Sequence, residues 1–130
     1  MSKNINEMLS RKNWAVLGAT SRKDKFGYKI TKCLIDNGYN VYPINPNCEE
    51  IDGEKCYSSI EELPVTPDCV DFVVPPKVSI EALEELDPSK IRYLWFQPGT
   101  YNQDVIKFAE EKGFEIVHEG ECVMRSLRGA

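Results

Sequence analysis

The chain has 130 residues, 42% hydrophobic and 28% charged, with a formal net charge of −5. That length suits one domain, large enough to bury roughly two thirds of its unfolded surface without staples. The acidic balance excludes a global basic field for nucleic acid or an anionic membrane, so any anion site has to be local.

Five cysteines (Cys33, Cys48, Cys56, Cys69 and Cys122) are an odd count with no CxxC spacing and no metal-type cluster with His118. This argues against a disulfide framework and against structural zinc. The start, MSKNINEMLSRK, has no apolar signal region, and no run approaches the ~18 apolar residues of a membrane helix. A reducing cytoplasm is the expected location.

Ile5, Met8 and Leu9 at i, i+3, i+4 predict a short amphipathic helix over residues 1–11. Trp14 to Leu17 is a continuous apolar run ending at Gly18, the pattern of a strand buried on both faces. A loop follows, then a helix with Ile30, Cys33 and Leu34 inward, stopped at Asn37-Gly38. NVYPI (40–44) is a second strand, blemished by Pro43, which cannot donate to a ladder. Residues 48–68 read as polar and turn-rich, with one helical turn near 59–63.

Cys69 to Val74 is the third strand, stopped by Pro75-Pro76. Val78, Ala82, Leu83 and Leu86 form a helix face, and RYLWF (92–96) is the fourth strand, ended by Gln97-Pro98-Gly99. Asn102 is the expected N-cap of a helix carrying Val105, Ile106 and Ala109 and closed by Gly113. FEIV (114–117) is the fifth strand, and residues 125–130 read as a tail. Strands alternating with helices predict an α/β domain, a single doubly wound sheet of about five parallel strands. Such sheets bind ligands outside the carboxyl ends of their strands.

Those ends are Gly18-Ala19-Thr20-Ser21, Asn45-Pro46, Pro75-Pro76 and Gln97-Pro98-Gly99. They are rich in glycine, proline and neutral polar groups, which suits binding better than catalysis. In the first loop, Gly18 permits close backbone approach, and Thr20 and Ser21 offer hydroxyls. The following helix start offers amides and a positive dipole end. Arg22, Lys23 and Lys25 add local charge, and Gly27 again permits close approach. The plain alternative is a strand–helix turn followed by a solvated charge run. A GxGxxG fingerprint is not met, because Thr20 stands where its second glycine belongs, and strand two closes on Asn45-Pro46 rather than an acid. This weakens NAD without excluding it, since Glu49 and Glu50 follow closely. No GxxxxGK[ST] loop is present.

The set GATSRKDKFGYK, YPINP, VDFVVPP, WFQPGTYN and HEGECVM, spanning about Trp14 to Met124, resembles the small CoA-binding proteins. It is similar to the CoA-binding domain of the succinyl-CoA synthetase alpha subunit and related acyl-CoA synthetases. The resemblance implies a Rossmann-type fold with coenzyme A along the strand ends. By that likeness Gly18, Ala19, Thr20, Ser21 and Arg22 match the first phosphate loop, and Lys25, Gly27 and Tyr28 its helix end. Asn45 and Pro46 match the position near the adenosine. Val74, Pro75 and Pro76 match the wall after strand three. Gln97, Pro98 and Gly99 match the segment nearest the pantetheine arm. A ligand with a pyrophosphate and a 3′-phosphate suits the Arg- and Lys-bearing loop better than NAD does.

The synthetases transfer phosphate through a histidine in a second domain, whereas this sequence offers only His118, so phosphoryl transfer by this chain alone is not implied. His118 is better read as a surface or hydrogen-bonded residue than as a general base. Cys122 has two readings, a buried structural thiol or a partner for the CoA thiol in a mixed disulfide. Trp95 and Phe96 point to opposite faces and read as core, as do Tyr39 and Tyr42. Three functions follow: a module that binds CoA or acyl-CoA without chemistry of its own, a component acting with a separate catalytic chain, or an NAD(H)-binding redox sensor. A homodimer or a separate catalytic subunit is the expected protein partner.

Overall fold

The computed structural model describes residues 3–118, 122–124 and 127. Among them β1 (Asn13–Leu17), β2 (Asn40–Ile44), β5 (Cys69–Phe72), β6 (Tyr93–Phe96) and β7 (Glu115–Val117) form one parallel sheet. Its order is β2-β1-β5-β6-β7. The order reverses between β1 and β5, which makes the crevice beyond their carboxyl ends the expected ligand position. A short hairpin, β3 (Glu50–Ile51) with β4 (Glu54–Lys55), lies in the stretch expected to be only turns. Its turn is Asp52-Gly53, with φ of 49° and 89°, the left-handed pair that a two-residue hairpin turn requires.

Helices cover both faces. α1 (Lys3–Leu9) and α2 (Phe26–Asp36) enclose one core with Trp14, Val16 and Trp95, and α3 (Pro76–Glu85) and α4 (Gln103–Lys112) enclose the other with Ala15, Phe72 and Phe96. Strand alternation sends Trp95 and Phe96 to opposite cores, as the sequence predicts. Tyr39 packs edge-on against Trp14 at 5.8 Å between ring centroids. Of the expected 125–130 tail only Leu127 is among the described residues, and it packs against the first core.

Each helix has a local reason for its ends. In α2, buried Gly27, Ile30, Thr31 and Leu34 repeat at helical spacing. Asn102 Oδ1 accepts from Val105 N at 3.0 Å to start α4, and Gly113, at φ 102°, ends it. Pro76 occupies the first turn of α3, where a missing N–H does no harm. Lys112 of α4 donates to the carbonyls of Leu83, at 2.7 Å, and Leu86, at 3.0 Å, closing the other end of α3.

Two expectations are adjusted. The third strand ends at Phe72 rather than Val74, and Val73 N donates to Leu17 O, at 2.8 Å, as the last ladder bond between β1 and β5. Pro43 sits harmlessly in β2 because that strand is the sheet's edge. Outside it, Tyr57 N donates to Pro43 O and Asn45 N to Tyr57 O, both at 2.8 Å, so Tyr57 covers part of the open edge.

Candidate functional site: the carboxyl rim of the sheet

Parallel pairing brings every strand end to one rim, and backbone bonds lace the loops together there. Gly18 N donates to Ile44 O at 3.0 Å, Val73 N to Leu17 O at 2.8 Å, and Gln97 N to Phe72 O at 3.2 Å. The first loop is built on two glycines. Gly18 has φ 100°, and a Cβ there would lie 2.3 Å from Val73 O. A Cβ on Gly27 would lie 2.2 Å from Gly18 O. The first turn of α2 therefore rests directly on the loop backbone, a closeness that any side chain would break.

The predicted site residues divide by what the fold does with them. Ala19 and Gly27 are buried, so they contribute backbone. The Asn45 side chain holds the rim together: Nδ2 donates to Ala19 O at 2.8 Å, and Oδ1 accepts from Asn47 N at 2.8 Å. Thr20 is half-buried, and its Oγ1 accepts from Arg22 N at 3.3 Å. Ser21, Arg22 and Lys25 are exposed. No ion pair among the described residues engages Arg22, Lys23 or Lys25. Lys25 is the N-cap residue of α2, and no side chain caps that helix end. The loop thus offers free cationic side chains, hydroxyls and a positive helix end together, the requirements of a phosphate site.

Farther along, Val74 lies against Gly18, and Pro75 precedes α3. Pro46, Pro75, Pro98 and Gly99 are exposed, and Pro76 is half-buried. The Tyr28 hydroxyl donates to Asp52 Oδ2 at 2.5 Å, tying α2 to the hairpin tip. Two hollows open beside this row. One, of about 250 Å³, is lined by Leu17, Ile44, Ile60, Ala82 and Leu86. The other, of about 620 Å³, lies between Tyr101, Asn102, Ile106 and His118.

Gln97 is placed differently from a ligand-facing residue. It is fully buried. Its Nε2 donates to Asp71 Oδ1 at 2.5 Å, and its Oε1 accepts from Val123 N at 3.2 Å. Asp71 was missed from sequence, although a lone acid in the apolar run CVDFVV was the available signal. It is fully buried, and its Oδ2 has no partner. Burial lifts its carboxyl from 3.8 to about 8, with the Gln97 bond pulling the other way. The protonated acid, Gln97 and Val123 form a polar strut beneath the rim.

His118 is half-buried and packs edge-on against Tyr101 at 5.4 Å, and its Nδ1 is buried with no hydrogen-bond partner. Cys122 is half-exposed rather than buried, and the residues just before it lie outside the described set.

Comparison with known proteins gives the rim a context. The family model described as CoA binding domain matches residues 12–128. The Bacillus subtilis (strain 168) protein YneT is 30% identical over 114 residues, covering 87% of this chain and 84% of YneT. An ADP-forming acetate–CoA ligase of Methanocaldococcus jannaschii is 42% identical over 74 residues, 57% of this chain. The match spans only 10% of that ligase. Among solved structures, a hypothetical protein from Pyrococcus horikoshii OT3 superposes with a TM-score of 0.89 at 36% identity, covering 98% of this chain and 89% of that one. A match from residue 12 to residue 128, over a fold whose loops converge on one rim, places the chain in the CoA binding domain family.

Proposed function

We propose that the chain binds coenzyme A or an acyl-CoA along the carboxyl rim and catalyses nothing on its own. The observation that carries this reading is the family match over residues 12–128. The rim chemistry supports it. Ser21, Arg22 and Lys25, with the uncapped start of α2, would hold phosphates. Gly18, Ala19 and Gly27 would supply backbone, with Tyr28 beside them. Asn45 and Pro46 would border the adenosine end. Val74, Pro75 and Pro76 would wall the middle. Pro98 and Gly99 would lie nearest the pantetheine arm, with Gln97 fixing that segment from below. The exposed first loop carries the Ser21 hydroxyl and three cations, Arg22, Lys23 and Lys25, against one acid, Asp24, and the acid of β5, Asp71, is enclosed.

Coenzyme A would supply a thiol and an acyl carrier. This chain's part is to bind and orient it. A second reading is a CoA-binding component that works with a separate catalytic chain. It is favoured by a Pyrococcus furiosus relative named as the alpha subunit of an ADP-forming acetate–CoA ligase, 40% identical over 72 residues. This match covers 16% of that subunit. No helix of the described residues is long and apolar enough to cross a membrane.

Charge at the first loop is the testable element. Arg22→Ala and Lys25→Ala are each expected to weaken CoA binding about tenfold, the value of one charge-assisted hydrogen bond of roughly 1.5 kcal/mol. Titration against dephospho-CoA assigns the contact. An equal loss on both ligands places the side chain at the pyrophosphate, and a loss confined to CoA places it at the 3′-phosphate. Unchanged affinity in both variants would refute the phosphate role of this loop.

A further inference from the structure

The hairpin after β2 has a feature that coenzyme A binding does not explain. Pairing of Glu50 with Lys55 and of Ile51 with Glu54 is extended by Cys56 N donating to Glu49 O at 2.9 Å. This register brings Cys48 and Cys56 together at the open end of the hairpin, with their sulfurs 3.1 Å apart. Both are thiols. The two differ in access: Cys56 is buried, 7% exposed, while Cys48 is half-buried. The Cys56 thiol donates to the Cys48 sulfur.

We propose that Cys48 and Cys56 are a dithiol site that reduces a small-molecule disulfide and is itself converted to an intramolecular disulfide. Cys48, the accessible sulfur, attacks first as the thiolate. A bond forms between Cys48 Sγ and one sulfur of the small disulfide, whose S–S bond breaks and releases one thiolate, which takes a proton. Cys56 then loses its proton and attacks Cys48 Sγ, displacing the second thiolate. The protein dithiol is oxidised by two electrons, and the small disulfide is reduced to two thiols. Burial pushes the Cys56 thiol up, which disfavours it as the first nucleophile, and its place 3.1 Å from Cys48 Sγ is what fits it for the second step. The sulfurs need to close by about 1 Å to reach disulfide length, a movement confined to the end of a hairpin.

The site adjoins the rim, since the same segment begins at Asn45 and its tip, Asp52, accepts the Tyr28 hydroxyl. The inference stands whether or not the rim holds coenzyme A, because it needs only the two sulfurs.

The full reduced chain is incubated with oxidised glutathione, then alkylated in denaturant and mapped by mass spectrometry after cleavage at Lys55, which lies between the two cysteines, and before Asp36 and Asp68, which separates Cys48 from Cys33 and Cys56 from Cys69. The expected product has lost two hydrogens, carries no adduct at this site, and links the Cys48 peptide to the Cys56 peptide. Alkylatable thiols fall by two. Cys56→Ser is expected to trap a glutathione adduct on Cys48, and Cys48→Ser to leave Cys56 unmodified. The proposal is overturned if both cysteines of the wild type stay fully alkylatable while adducts gather on Cys33 or Cys122. It is equally overturned if the wild-type reaction stops as an adduct on Cys48. The wild-type map decides the matter even where a variant does not fold.

Discussion

Replacing Asp71 with asparagine isolates the effect of holding a carboxyl inside the sheet. The amide keeps the shape of the protonated acid and retains an acceptor for Gln97 Nε2, but it has no proton to lose. In the folded protein, burial raises the Asp71 carboxyl from 3.8 to about 8. Between those values the folded chain holds a proton that the unfolded chain has released, so stability falls as pH rises. Below about 4 both states are protonated, and above about 8 both are ionised, so the dependence ends at each side. Each unit is worth about 1.4 kcal/mol, and the span from pH 5 to pH 8 therefore costs the wild type about 4 kcal/mol relative to Asp71→Asn. Denaturant unfolding of both proteins at pH 5, 6.5 and 8, followed by the fluorescence of buried Trp14 and Trp95, measures the difference directly. Other titrating groups cancel in it. The stability of the variant minus that of the wild type should grow by about 4 kcal/mol from pH 5 to pH 8, whatever its value at pH 5. Parallel profiles for the two proteins would refute the burial of a neutral acid at this position.

Gly27→Ala is expected to destabilise the fold by about 1–2 kcal/mol in the same unfolding assay. Overpacking against Gly18 O, 2.2 Å from the new Cβ, costs about 1–3 kcal/mol, against a helix-propensity gain of at most about 1 kcal/mol. A stabilised variant would mean that the helix start is not pressed on the loop. Lys112→Met removes the ammonium that closes α3 through the carbonyls of Leu83 and Leu86. The expected loss is about 1 kcal/mol, discounted because the group is partly solvated, and amide exchange should quicken in the last turn of α3. No change in either observable would contradict the capping role.

The alternation of elements was legible because each strand is a short apolar run and each helix carries its own punctuation, such as Asn102 and Gly113 around α4. What escaped depends on contacts distant in sequence. The hairpin at residues 50–55 has two-residue strands, too short for any hydrophobic period, and only its Asp-Gly turn marked it. The Cys48–Cys56 contact follows from that hairpin register and was invisible without it. Asp71 could be seen as an anomaly in an apolar strand, but its neutrality depends on Gln97 arriving from β6. The same bond explains why Gln97, readable as a rim residue from its place before Pro98-Gly99, faces the interior. The rim loops themselves were readable because parallel pairing fixes where strand ends go. The roles of Arg22, Lys23 and Lys25 were not, since exposed side chains on a loop are set by what they bind.

Calorimetric titration of the chain with coenzyme A and, separately, with NADH at the same concentrations tests the central claim most directly. Saturable binding of coenzyme A with little or no heat from NADH is the expected result, and a hundredfold excess over the dissociation constant should then stabilise the fold by about 2.7 kcal/mol. NADH binding as tightly as coenzyme A, or more tightly, would contradict it.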